Sequence, residues 1–453
     1  MSPDLLQKYD IPAPRYTSYP TVPYWDKTPP EESLWENAVK NTFEATNGRD
    51  GISVYIHLPF CERLCTYCGC NTRITINHAV EKVYMQAVLK EWRRYLALFG
   101  EKPVIKEIHL GGGTPTFFSA ANLGELLKSL LEDARVAPDQ HFSFEAHPGN
   151  TTPEHLQVLY DLGFRRISIG VQDFDPVVLD IINRFQTFED VKNLTDLARA
   201  MGYQSVNFDL IYGLPLQKYT SFMDTIRKVG ELRPDRIALY SYAHVPWLKP
   251  GQRKFSEKDL PDPAEKLELY SGACAFFGAA GYVGVGLDHF ALPEDELCLA
   301  AGKGELHRNF MGYTVSHAKL LIGLGASAIS DAGTAYVQNE KKVEDYYAAL
   351  NGRKFPYFKG HALTADDQMV RRHILNIMCG LETTWSDPAM QVQAVYDALT
   401  YLEDMEKDGL VVLGPGKLKV TAAGQSFLRN ICLAFDERYW SAKLESARFS
   451  QAI

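Results

Sequence analysis

What this sequence lacks narrows it early. Basic residues are not in excess: 47 Lys and Arg stand against 56 Asp and Glu, a net charge of −9. No global field therefore draws the chain to nucleic acid or anionic lipid, and an anionic substrate must be held by a local basic pocket. No apolar run reaches the roughly 18 residues of a membrane span, and Met1-Ser2-Pro3-Asp4 opens no charged-then-apolar signal, so the cytoplasm is the expected location. No segment repeats at a fixed period. Disorder, collagen and coiled coil are excluded by 46% apolar and 23% charged residues. Cysteine is sparse outside one stretch. Cys274, Cys298, Cys379 and Cys432 are scattered and read as buried small hydrophobes, whereas Cys61, Cys65, Cys68 and Cys70 fall within ten residues.

The 453 residues allow up to three domains, or one large α/β barrel with appendages. Residues 1–50 show little periodicity but hold a dense aromatic and proline segment from Tyr9 to Pro20, read as an extended arm. From 51 to 360, β-rich runs alternate with amphipathic helical stretches, the pattern of a parallel sheet of βα units. Strands are predicted at 52–58, 104–110, 141–147, 165–171, 205–211 and 236–243, with helices at 79–98, 120–134, 153–162, 188–201 and 218–232. Six such units suggest a partial barrel. Residues 361–453 change texture, with helices at 365–380 and 390–408 and a hairpin turning at Gly414-Pro415-Gly416. This resembles a winged helix. It lacks a basic stripe, so a lid or packing role is expected rather than nucleic-acid binding.

Chemistry concentrates at the strand ends. In Cys61-Glu62-Arg63-Leu64-Cys65-Thr66-Tyr67-Cys68, directly after the first strand, three thiolates spaced by three and two residues can converge on one inorganic group. Three is one fewer than a 4Fe-4S cluster needs, which leaves one iron open for a substrate. The alternatives are zinc, with Cys70 as fourth thiolate, or unligated thiols. Gly111-Gly112-Gly113-Thr114-Pro115 ends the second strand, where glycines let the backbone approach a ligand closely. Glu145, Gln172, Asp209 and Ala243 fall at or near the same end of later strands, the face where barrel active sites form. Glu145 and Asp209 could instead be structural carboxylates paired across the sheet. Either costs several kcal/mol among strand hydrophobics unless a protein group or ribose hydroxyls satisfy it.

The cluster loop, the glycine turn and the six βα units resemble radical S-adenosylmethionine enzymes. More narrowly, nearly the whole chain resembles the oxygen-independent coproporphyrinogen III oxidase family. The resemblance is carried by Pro14-Arg15-Tyr16-Thr17-Ser18-Tyr19-Pro20, Cys61 to Cys70, Gly170-Val171-Gln172-Asp173-Phe174, Asp209-Leu210-Ile211-Tyr212-Gly213-Leu214-Pro215, Asp288-His289-Phe290-Ala291, His307-Arg308-Asn309-Phe310 and Arg429-Asn430-Ile431-Cys432.

The resemblance implies that Cys61, Cys65 and Cys68 hold a 4Fe-4S cluster, with Cys70 close by but not a ligand and counted, with Glu145, as catalytic. It implies two S-adenosylmethionine molecules. The cluster-bound one would meet Tyr67, Gly113, Thr114, Gln172, Arg184, Asp209 and Ala243, with Arg184 facing its carboxylate and Gln172 and Asp209 its ribose. The second would meet Tyr55, Gly112, Glu145, Phe310 and Ile329. The family chemistry is oxidative decarboxylation of two propionates of coproporphyrinogen III to vinyl groups by a 5′-deoxyadenosyl radical, giving protoporphyrinogen IX. It needs an external one-electron donor and an electron acceptor, and a monomer is expected. Arg15 and Arg308 are the candidates for pairing with substrate carboxylates. One position departs from the family: Met311 stands where Gln is usual and cannot donate amide hydrogen bonds, which weakens the second site. The rival functions are a relative acting on another tetrapyrrole and a haem-trafficking chaperone. The fourth cysteine and the Arg-Tyr arm weigh against both.

Overall fold

The computed structural model describes residues 5, 8–441 and 449. A period-two alternation builds its centre. The strands are β1 (Ile52–Leu58), β2 (Val104–Gly112), β3 (Arg135–Ala146), β4 (Arg166–Gln172), β5 (Ser205–Tyr212) and β6 (Arg236–Ser241). One face of each is apolar: Val54, Ile56, Ile108, Leu110, Phe142, Phe144, Ile167, Ile169, Phe208, Leu210, Ile237 and Leu239 join one continuous core. Residues of the other parity, which must face the opposite way, are polar or small: Tyr55 and His57, His109 and Gly111, Ser143 and Glu145, Ser168 and Gly170, Asn207 and Asp209. Each large apolar side chain contributes about 1.5–3 kcal/mol on full burial, so the outer face can hold the sheet while the inner face is left for chemistry.

The six strands are neighbours in chain order and all parallel. Helices Val80–Leu98, Ala120–Glu132, Pro153–Asp161, Phe188–Met201 and Tyr219–Leu232 connect them. The fourth of these helices shows how its ends are set. Thr187 and Asp190 form a capping box at its start, and Gly202 stops it in the left-handed region at φ 94°.

The sheet does not stop at six strands. Leu320–Leu324 pairs in parallel with β1, and Ile329–Asp331, Ala335–Asn339 and Tyr357–Ala362 continue that edge antiparallel. His289–Ala291 and Val283–Val285 extend the β6 edge, giving an open order of 12 strands and a partial (β/α)6 barrel. The sequence reading had only the six, because Leu320–Leu324 is buried at every position and carries no alternation.

The N-terminal region also differs from the expected arm. Glu32–Thr46 is a helix that buries Trp35, Val39 and Phe43 in the barrel core, a four-residue spacing that the polar residues around it obscured. Farther upstream, Tyr9, Ala13, Tyr16 and Tyr19 are buried in the core of the C-terminal region. Arg429 donates to the carbonyls of Ala13 and Pro14, and the Tyr16 hydroxyl donates to Asp436 at 3.1 Å. The C-terminal region has helices Ala365–Gly380 and Gln393–Lys407 and a three-stranded sheet of Glu382–Thr384, Val411–Gly414 and Lys417–Val420, a winged-helix-like arrangement. No described helix is long and apolar enough to cross a membrane.

Candidate active site at the strand ends

A cavity of about 500 Å³ opens where the parallel strands end. Its defining element is the cysteine loop. Phe60–Cys61 pairs with Arg73–Ile74, which closes the loop at its base, and the Cys68 amide donates to the Cys65 carbonyl at 3.1 Å to form its inner turn. Cys61, Cys65 and Cys68 all line the cavity. Cys61 Sγ lies 3.3 Å from Thr114 Oγ1, and Arg184 Nη1 lies 3.8 Å from Cys65 Sγ. Burial pushes the Cys61 thiol up to about 12 and raises Cys65, an effect that Arg184 opposes. The hydrogen bond between Cys68 and Cys70 lowers the first and raises the second. Thiols raised by burial become good ligands once a bound cationic group compensates their charge. Three thiols around a roomy cavity suit a larger cluster with one iron left open.

The glycine run is explained by its neighbours. A Cβ on Gly111 would lie 3.0 Å from Glu145 Oε1 and 3.1 Å from the Tyr55 ring. Gly112, at φ 115°, would drive a Cβ to 2.7 Å from the His57 ring. The backbone can therefore approach, and Gly112 N donates to Glu145 Oε2 at 3.2 Å. Glu145 Oε1 also faces His109 Nε2 at 3.6 Å. Behind it, the Tyr55 hydroxyl meets His57 Nδ1 at 3.0 Å, and His57 Nε2 meets the Asn71 carbonyl at 2.9 Å, which joins β1 to the cysteine loop.

Across the cavity, Asp209 accepts from Ser168 Oγ at 2.7 Å and from Asn207 Nδ2 at 2.9 Å. Burial raises its carboxyl to about 6. Among the described residues no cation lies within 4 Å of it, so it has hydrogen bonds but no ion pair. Gln172 sits where the β4–β5 register shifts, at φ 65°, a left-handed conformation that costs a non-glycine residue about 1–3 kcal/mol. Arg184 donates to Gln186 Oε1 at 2.8 Å and to the Gly170 carbonyl, which fixes its guanidinium beside the thiols.

Residues 55–229 match the radical SAM superfamily. Proteins named oxygen-independent coproporphyrinogen III oxidase from Escherichia coli (strain K12) and Synechocystis sp. are 38% and 37% identical, covering 99% and 100% of this chain and 98% of each relative. The solved structure of coproporphyrinogen III oxidase (HemN) from Escherichia coli, described as a radical SAM enzyme, matches with a TM-score of 0.88 over 94% of this chain and 97% of that one. The chain belongs to the oxygen-independent coproporphyrinogen III oxidase family. As a radical SAM protein it carries a 4Fe-4S cluster and uses S-adenosylmethionine.

Of the residues that the family resemblance singled out, Tyr67, Cys70, Gly112, Gly113, Thr114, Glu145, Gln172, Arg184 and Asp209 line this same cavity with the three cluster-spaced thiols. Tyr55 stands directly behind Gly111, and the Ala243 carbonyl accepts from Gln252 Nε2 at 3.2 Å beyond the end of β6. Phe310 and Ile329 pack with Trp25 and Tyr336, and Ile329 lies against Gly323, the residue paired with Tyr55 on the neighbouring strand. The Met311 amide donates to Asn309 Oδ1 at 2.8 Å. Arg15 pairs with Asp288 at 3.1 Å, with its guanidinium 5.7 Å from the centre of the Tyr240 ring, and Tyr240 lines the cavity. Arg308 is buried, donates to the Arg15 carbonyl at 3.3 Å, and leaves its Nε without a partner among the described residues. Sequence reasoning missed His147, Ser168, Phe185 and Tyr240, which also line the cavity. Ser168 falls on the polar side of the strand alternation and could have been found that way. His147, kept neutral by burial and by Arg184, which push it down to about 3, ends a predicted strand but carried no motif.

Proposed function

We propose that this chain is an oxygen-independent coproporphyrinogen III oxidase: it converts two propionates of coproporphyrinogen III to vinyl groups by oxidative decarboxylation and yields protoporphyrinogen IX for haem biosynthesis. The observation that carries this reading is the single cavity where three cluster-spaced thiols meet Gln172, Arg184 and Asp209, in a chain that matches the family along its whole length.

Cys61, Cys65 and Cys68 hold the 4Fe-4S cluster through their thiolates. Arg184, anchored by the Gly170 carbonyl, presents its free edge to the S-adenosylmethionine carboxylate. Asp209 and Gln172 accept and donate at the ribose, with Tyr67, Gly113, Thr114 and Ala243 completing the walls. With both bound, the cluster and S-adenosylmethionine would supply the one-electron radical chemistry. The side chains here orient that pair and keep water out. Each propionate loses one hydrogen atom, one electron and carbon dioxide, so an electron acceptor completes the balance. Tyr55, Gly112, Glu145, Phe310 and Ile329 border a second S-adenosylmethionine, held more loosely because the Met311 side chain carries no amide. Cys70 works beside the cluster without ligating it.

Arg308 offers its unpartnered Nε to a substrate carboxylate, and Arg15 exchanges Asp288 for another. The N-terminal segment and residues 361–453, joined through Tyr16 and Arg429, act as a cover on the substrate side. The enzyme works as a cytoplasmic monomer. Anaerobic incubation with coproporphyrinogen III, S-adenosylmethionine and a reductant tests the reading. The product should be lighter by two carbon dioxide molecules and four hydrogen atoms. An unchanged or methylated tetrapyrrole, or haem retained without turnover, would contradict it.

A further inference from the structure

The segment 244–255, which follows Ala243 beyond the end of β6, contributes no residue to the cavity lining, yet it is strapped across the cysteine loop. Gln252 is buried and uses both ends of its amide: Oε1 accepts from the Val245 amide at 2.6 Å, and Nε2 donates to the Tyr67 carbonyl at 3.0 Å. Lys249 Nζ donates to the Cys70 carbonyl at 3.2 Å. A Cβ on Gly251 would lie 3.2 Å from Leu64 Cδ2, so the strap lies on the tip of the loop. Asn183 Nδ2 holds the Leu64 carbonyl at 2.8 Å, and the Arg63 guanidinium lies 4.8 Å from the centre of the Phe185 ring. These contacts make one continuous surface directly over the thiols.

The outer side of that surface is apolar and cationic. Trp247, Leu248, Phe185 and Leu64 are 54%, 61%, 54% and 39% exposed. Around them stand Arg63, Lys249, Arg253 and Lys254, and among the described residues none of the four is ion-paired with a carboxylate. Exposed aromatic and aliphatic groups rimmed by charge mark an interaction site, with Trp and Arg as its usual anchors. In a chain of net charge −9, four unpaired cations at one place select an acidic partner and steer it there.

We propose that residues 244–255, with Arg63, Leu64 and Phe185, form the docking surface for an acidic one-electron carrier protein that reduces the cluster. The inference rests on the oxidase reading, which requires an outside electron and places the cluster just beneath this strap. In the step, the carrier loses one electron and the oxidised cluster gains it, with no bond made or broken and no proton moved. Electron transfer falls off steeply with distance, so a carrier gains by docking where the thiol loop itself reaches the surface.

The test uses the cluster-loaded full chain with two probes, an acidic flavodoxin and an acidic 2Fe-2S ferredoxin. Binding of each oxidised probe is measured by calorimetry at low and high salt, and cluster bleaching by the reduced probe is followed by stopped-flow absorbance. The wild type should bind at least one probe, more weakly in high salt. The double variant Arg253→Glu/Lys254→Glu should lose at least tenfold in affinity and in bleaching rate, and Trp247→Ala severalfold. Turnover driven by dithionite should stay within twofold for both variants. Absence of binding to either probe, or variants that bind as the wild type does, would overturn the proposal. So would a rise in KM for coproporphyrinogen under dithionite, which would make this the substrate's entrance, or a dimer that the variants dissolve. If the oxidase reading itself were wrong, the wild type would give no vinyl product even with dithionite, a result independent of the binding data.

Discussion

Replacing Asp209 with asparagine should stabilise the ligand-free protein above about pH 6 while loosening its hold on S-adenosylmethionine. The carboxyl titrates at about 6 in the folded chain, raised by burial, against 3.8 when unfolded. Because the folded value is the higher one, the native state holds the extra proton between these limits. Wild-type stability therefore falls as pH rises through that window, and the whole cost is present above it. The interval corresponds to about 3 kcal/mol, at about 1.36 kcal/mol per pH unit, and water in the cavity beside the carboxylate screens part of it, leaving about 1–3 kcal/mol. Asparagine can keep both local contacts, accepting from Asn207 and donating to Ser168. Urea unfolding of cluster-free wild type and Asp209→Asn at pH 7.5 and pH 5 checks this. The variant should be the more stable at pH 7.5, with the advantage shrinking at pH 5. S-adenosylmethionine affinity should fall roughly ten- to a hundredfold, the value of a hydrogen bond to a charged group. A variant equally destabilised at both pH values, or an advantage independent of pH, would refute the reasoning.

Three further outcomes are expected. Cys61→Ala, Cys65→Ala and Cys68→Ala should each lose the cluster, read as iron content and visible absorbance, whereas Cys70→Ala should keep it and lose turnover. Arg184→Ala should weaken S-adenosylmethionine binding by roughly ten- to a hundredfold in titration, and should cost about 1–3 kcal/mol of stability because the Gly170 carbonyl and Gln186 lose their donor. Met311→Gln should bind the second S-adenosylmethionine up to about tenfold more tightly by equilibrium dialysis with the product unchanged, since a neutral hydrogen bond contributes about 0.5–1.5 kcal/mol, whereas Glu145→Ala should nearly stop turnover.

The barrel was readable because its strands alternate. Apolar residues such as Phe142 and Phe144 build the core while Ser143 and Glu145 take the other side, and the same rule put Asp209 on the cavity side of β5. Leu320–Leu324 escaped because a strand buried at every position has no alternating signature. The helix from Glu32 to Thr46 escaped because its buried Trp35, Val39 and Phe43 are interspersed with polar residues and with the exposed Leu34. No local pattern could show that Tyr16 closes on Asp436, a contact made across 420 positions of chain. At the site, the spacing of Cys61, Cys65 and Cys68 carried its own chemistry. Arg184 lies on no strand, and only the family resemblance brought it forward. Phe185 and the strap from 244 to 255 carry no motif, since their meaning comes from what they lie against.

The claim at the centre of this account is that a radical formed in this cavity removes a hydrogen atom from a substrate propionate. Coproporphyrinogen III carrying deuterium on the propionate β-carbons should transfer it to 5′-deoxyadenosine, one labelled molecule for each vinyl group formed, as read by mass spectrometry after a single anaerobic turnover. Vinyl product accompanied by unlabelled 5′-deoxyadenosine, or labelled substrate recovered intact beside cleaved S-adenosylmethionine, would contradict it.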